Sequence, residues 1–77
     1  MENVNVRYLR TLPESSVIYN LTAHRFYGSG WFRYMNWQKP LKRDAVIKKI
    51  LFARNHMVGL KWEVAKIKFE TPIDKMD

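Results

Sequence analysis

Gly28-Ser29-Gly30, set between Phe26-Tyr27 and Trp31-Phe32, constrains the fold of this chain more than any other stretch. Glycine permits positive φ where a chain reverses, and the flanking aromatics are strand formers, so the stretch predicts the tip of a β-hairpin. The hairpin is expected over residues 17–37. On its first arm Val17, Tyr19, Leu21 and Ala23 share one parity and Asn20, Thr22 and His24 the other, the alternation of a half-buried strand. A three-residue loop sets Tyr27 opposite Trp31, Arg25 opposite Arg33, Ala23 opposite Met35 and Leu21 opposite Trp37. A two-residue loop moves every pair by one. The first register places two like charges face to face, which is destabilising unless they share an anion.

The rest of the chain arranges itself around this hairpin. Val4, Val6 and Tyr8 alternate with Asn5, Arg7 and Leu9 and predict a strand over residues 3–10, and Leu12-Pro13-Glu14-Ser15-Ser16 reads as a turn. Lys39-Pro40 breaks the hairpin's second arm. Pro40 and Asp44 are helix-start signals, and Val46, Ile47, Ile50 and Leu51 form one apolar face of a helix expected at 41–54, closed by Asn55-His56. A last strand is expected from Val58, with a bulge or sharp twist near Val64-Ala65, where the apolar parity changes. Thr71-Pro72 ends it and a flexible tail, 72–77, follows. The order β-β-β-α-β predicts a small single α+β domain over 1–77, a mostly antiparallel sheet with one helix packed on one face. Its expected core is Val17, Tyr19, Leu21, Val46, Ile50, Leu60, Trp62 and Ile67.

The charge of the chain is as uneven as its pattern. Between His24 and Arg54 stand Arg25, Arg33, Lys39, Lys42, Arg43, Lys48, Lys49 and Arg54 against the single acid Asp44, a surplus of eight minus one that equals the net +7 of all 77 residues. The flanks are neutral. The same block holds two of the three Trp, three of the four Phe and two of the four Tyr residues. Cations interleaved with aromatics suit phosphates and unstacked bases. With no cysteine and two histidines, disulfides are excluded, and no metal cluster is assembled without borrowed carboxylates. No cofactor is expected. Without a secretory leader or an apolar run near the ~20 residues that span a bilayer, the chain reads as cytoplasmic, with no membrane partner.

Named motifs are missing. The glycines of the hairpin do not follow the basic-Gly-aromatic-Gly-aromatic strand of RNA-recognition motifs, and no Gly-Lys-Ser/Thr follows them as in a phosphate loop. His24 has no carboxylate at a diagnostic spacing, so no enzyme is expected. The function expected is a small basic RNA or single-stranded nucleic-acid binding protein. Its candidate contacts are Arg25, Tyr27, Trp31, Arg33, Tyr34, Lys39, Lys42, Arg43, Lys48, Lys49, Phe52 and Arg54. The alternative is a protein-protein inhibitor or adaptor of the kind phages encode, docking an acidic or nucleic-acid-binding partner. Monomer and homodimer are equally compatible with the sequence.

Overall fold

The computed structural model describes residues 2–56 and 59–68. The expected strand start at Val58, its stop at Thr71-Pro72 and the tail 72–77 lie outside the described residues. The chain is an α+β domain of antiparallel strands with one main helix. Its strands are divided over two sheets where the sequence predicted one.

The first element corrects the expected strand at 3–10. Only Glu2–Val4 is extended (β1), after which Asn5 caps a one-turn helix, Val6–Leu9 (α1). The Asn5 side chain accepts the Tyr8 backbone N–H at 2.8 Å, satisfying a donor that the helix start would leave unpaired. Val6 and Leu9, three apart, share one face of that turn and are both buried. Alternation puts Val6 and Leu9 on opposite faces of a strand, so the burial of both needs the helical turn that the Asn5 cap starts. The Tyr8 hydroxyl donates to Glu2 Oε1 at 2.9 Å; this hydrogen bond, then desolvation and the carboxylate's charge, hold the phenol pKa above its usual value.

The hairpin is present but bent. Val17–Tyr19 (β2) and Leu21–Tyr27 (β3) are separated by Asn20, whose φ of 56° breaks the strand. Asparagine tolerates this left-handed region better than most residues. Asn20 Oδ1 also accepts a hydrogen bond from Asn36 Nδ2 at 2.7 Å, and the same amide reaches Thr22 Oγ1 at 2.8 Å. The second arm is Gly30–Trp37 (β4), and Leu41–Lys42 (β5) leads into the helix Arg43–His56 (α2). The expected helix therefore starts two residues late, because Leu41 and Lys42 pair with Ile18 and Val17. Asp44 lies in its first turn, where a negative charge favours the helix.

The last ribbon, Leu60–Val64 (β6) and Lys66–Lys68 (β7), bends at Ala65 opposite Asn20. Thr22 faces Glu63 and Tyr19 faces Lys66, so the ladder crosses the bend with no residue inserted, and Ala65 N–H donates to Tyr19 O at 3.1 Å. The parity change at Val64-Ala65 is thus a bend between sheets, without the bulge offered as one account of it. The sheets run β1-β6-β3-β4 and β5-β2-β7.

One apolar cluster lies between them. It joins Val46, Ile47 and Ile50 of α2 to Val4, Val6, Leu9 and Leu12 of the N-terminal segment and to Ile18, Leu21, Ala23, Trp62 and Val64 of the strands. Of the expected core, Leu21, Val46, Ile50 and Trp62 are buried and Leu60 and Ile67 half-buried. Val17 and Tyr19 are corrected: both are half-buried, and Ile18 between them is fully enclosed. The bend at Asn20 is the reason. It separates β2 from β3, so the inward parity of one strand does not carry over to the other. Ile18 stands between Leu41 and Ile67 in an apolar row across the smaller sheet.

Candidate functional site

The turn at the hairpin tip is two residues, Gly28-Ser29, with Tyr27 opposite Gly30 and Gly28 at φ 63°. Arg25 therefore faces Phe32, and Arg33 faces His24. The three-residue pairing of Arg25 with Arg33 is corrected at the tip, yet Ala23 does face Met35 and Leu21 does face Trp37. Both registers coexist because Tyr34 is an extra residue on β4, a bulge that shifts the ladder between Ala23 and His24.

Beyond Arg25, which pairs with Leu60, β3 has no partner in β6. Among the described residues the outer hairpin is consequently a two-stranded arm, and Phe26, Tyr27, Trp31, Phe32, Tyr34 and Met35 are all exposed along it and its base. Phe26 and Trp31 meet edge to face with ring centroids 5.4 Å apart. Lys61 Nζ lies 5.9 Å from the Trp31 ring. Arg25, Tyr27, Phe32, Arg33 and Tyr34 line a shallow depression of about 330 Å³ on this arm. Both arginines reach it although they are not cross-strand partners.

Tyr34 also borders a larger groove, about 760 Å³, between the base of the hairpin and α2. Met35, Trp37 and Trp62 line it from the strands and Lys48, Lys49 and Phe52 from the helix. Trp37 stacks on Trp62 at 5.9 Å, and Lys49 Nζ sits 5.1 Å from the centre of the Trp37 ring. Ala53, Leu60 and Trp62 carry the surface on to a hollow of about 360 Å³ bordered by Trp31, Arg54 and Lys61. Arm, groove and hollow share lining residues and make one continuous track.

The predicted contacts divide accordingly. Arg25, Tyr27, Arg33 and Tyr34 come together on the arm, Lys48, Lys49 and Phe52 in the groove, and Trp31 and Arg54 in the hollow. Lys39 and Lys42 are exposed but line none of these three depressions. Arg43 is half-buried and occupied elsewhere: its guanidinium pairs with Asp44 at 2.9 Å and donates to Leu12 O at 2.9 Å, tying the 12–16 turn to the helix start. Among the described residues the other ion pair is Lys61 with Glu63 at 3.9 Å, and His24 Nε2 lies 3.4 Å from the same carboxylate. Arg25, Arg33, Lys48, Lys49 and Arg54 thus have no carboxylate partner among them.

Phe32, Met35, Lys61 and Trp62 were missed as lining residues. Alternation sends one parity of a strand inward, yet Phe32 and Met35, of opposite parity, are both exposed on β4. Lys61 belongs to a flank that is neutral in sequence, and only the pairing of His24 with Lys61 brings it across. The same pairing supplies the carboxylate that spacing did not reveal beside His24. His24 Nε2 is buried, turned toward Glu63, and makes no hydrogen bond. Among the described residues no group of three metal-ligating side chains converges, and no helix is long and apolar enough to cross a membrane.

No protein-family model, curated protein or solved structure matches this chain.

Proposed function

We propose that this protein binds RNA or another single-stranded nucleic acid along the track from the hairpin arm to α2. The observation that carries the reading is the company of Arg25 and Arg33. Neither has a carboxylate partner among the described residues, and both share a depression with three exposed aromatics, Tyr27, Phe32 and Tyr34. Guanidinium groups answer phosphate, and aromatic faces answer bases, each stacked base contributing ~1–3 kcal/mol. The proposed role is binding without catalysis; the Nε2 of His24 is buried and turned toward Glu63. Cytoplasmic location and the absence of a cofactor belong to the same proposal.

The test is a salt series with a short single-stranded RNA. Contacts from Arg25, Arg33, Lys48 and Lys49 together predict a log-log slope of about −3, at roughly 0.7 per neutralised phosphate. A slope near zero would remove nucleic acid as the ligand. It would favour the second reading, a phage-type inhibitor or adaptor docking an acidic protein, which the exposed apolar rings of the arm also suit, because an interface anchored by buried aromatics keeps its affinity in salt.

A further inference from the structure

Resting on the nucleic-acid reading, we propose a second contact surface for the same strand: the outer face of the smaller sheet, where Lys42 of β5 and Lys66 and Lys68 of β7 bind backbone phosphates beyond the groove. The face follows from register. Ile18 with Leu41 and Ile67 forms the row turned to the core, so the alternate residues, Val17 with Lys42 and Lys68 and Tyr19 with Lys66, are turned outward. All three lysines are exposed. Among the described residues none of them pairs with a carboxylate, and no acid stands at any paired position of this sheet.

The sequence hides this face, because Lys66 and Lys68 belong to a flank whose charges cancel along the chain and Lys42 lines none of the three depressions. Strand pairing brings them together. Lys42 and Lys68 both face Val17 from the strands on either side, so their backbones stand about 10 Å apart, and a phosphate above Val17 lies within the ~8 Å screening length of both.

The chemistry of the face selects its occupant. Among the described residues the exposed large apolar side chains lie on β3, β4 and α2, and none lies here. Tyr19 is half-buried and carries the Lys66 ammonium 6.0 Å from its ring centre. A bilayer or a protein partner is held through an apolar anchor, whereas flexible point charges without one suit a chain of phosphates. The position of the face ties it to the track. Leu41 lines the groove, while Lys42, next to it on the edge strand β5, is turned to the other side. A strand leaving the groove over that edge meets Lys42 first.

The experiment measures two labelled single-stranded RNAs, a six-mer and a thirty-mer, by fluorescence anisotropy across a salt series. At ~3.4 Å per nucleotide the thirty-mer spans about 100 Å, more than the 54 Å long dimension of the molecule. The proteins are the wild type and a triple variant, Lys42→Gln, Lys66→Gln and Lys68→Gln. On the thirty-mer the variant is expected to lose about tenfold in affinity and roughly 2 from the log-log slope, three phosphate contacts at 0.7 each. On the six-mer, held by the track, it is expected to stay within about twofold. Arginine at the three positions restores both affinity and slope, which a loss of fold in the glutamine variant would not explain. A thirty-mer slope unchanged in the glutamine variant overturns the second surface and leaves the track standing if the six-mer still binds. Loss of binding to vesicles of phosphatidylserine and phosphatidylcholine in that same case assigns the face to a membrane. Equal losses on both RNAs also overturn it, by reducing the lysines to a diffuse field. Binding of neither RNA by the wild type overturns both proposals.

Discussion

From Leu21 to Ala23 strand β3 is buried, and from Arg25 to Tyr27 it is exposed, although it pairs with β4 along its whole length. The hydrogen-bond ladder is the same in both regions, so it does not set the environment. What differs is the company. The inner region has β6 on its other side and lies in the apolar cluster with α2, whereas past Arg25 the pairing with β6 ends. A small domain that must bury a large share of its apolar surface to be stable nevertheless leaves Phe26, Tyr27, Trp31, Phe32, Tyr34 and Met35 exposed, with Phe52 facing the same track. Stability explains the inner region; the exposure of the outer one is what the proposed binding role draws on.

The largest effect that would break this contrast belongs to the core. Ile50 is 4% exposed and packs in the central cluster, so Ile50→Ala is expected to cost ~2–5 kcal/mol in a denaturant melt. A loss under ~1 kcal/mol would mean that α2 does not anchor the domain. Next comes charge placement. Reversing Arg33 and Lys48 to Glu is expected to weaken RNA binding by about ten- to a hundredfold and to lower the salt slope by roughly 1.4, two phosphate contacts at 0.7 each. Reversing the exposed Arg7 of α1 and Arg10 at its C-cap changes the net charge equally. Its effect is expected to be several-fold smaller, because screening limits charges to ~8 Å at physiological salt. Equal losses would reduce the track to a diffuse positive field.

Much of the fold was legible because local chemistry decided it. The Gly-Ser turn between aromatics, the proline after the second arm and the i, i+4 apolar spacing of α2 each act within a few residues, so the hairpin tip stands where expected and the helix starts two residues later. The failures share a cause. The strand expected at 3–10 followed the alternation of Val4, Val6 and Tyr8, and one hydrogen bond from the Tyr8 backbone N–H to the Asn5 side chain starts a helix there instead. Val17 and Tyr19 were placed inside because alternation was run straight through Asn20, where a single positive φ changes the sheet. At the site, the cations and aromatics were visible as a block. Their grouping was not, since the bulge at Tyr34 and the arrival of Lys61 across the strand pairing depend on contacts far apart in sequence.

The bend itself gives a smaller effect. Asn20→Val forces a β-branched residue into the left-handed region and removes the hydrogen bond from Asn36, and is expected to cost ~1–2 kcal/mol. Asn20→Gly keeps the conformation and isolates the hydrogen bond, at ~1 kcal/mol or less. If both variants melt with the wild type, the junction between the sheets is not under conformational control.

The smallest expected effect is the sharpest test of the comparison, because it separates stability from binding on the same strands. Tyr27 and Phe32 are 69% and 60% exposed, both on the arm beyond the pairing with β6 or at its limit. Replacing both with Ala removes exposed rings from a ribbon that contributes little to the core, and exposed positions of this kind move stability by about 0.5 kcal/mol or less. Cross-strand packing is the opposing term: Phe32 faces Arg25, and such pairs contribute roughly 0.2–1 kcal/mol. The denaturant midpoint is therefore expected to stay nearly fixed while affinity for single-stranded RNA falls about tenfold, since the two rings share their depression with Arg25 and Arg33. A double variant that melts more than ~1 kcal/mol early, with unchanged affinity at a temperature where it is folded, would make the arm part of the structural core, and the distinction drawn between the two ends of β3 would fall.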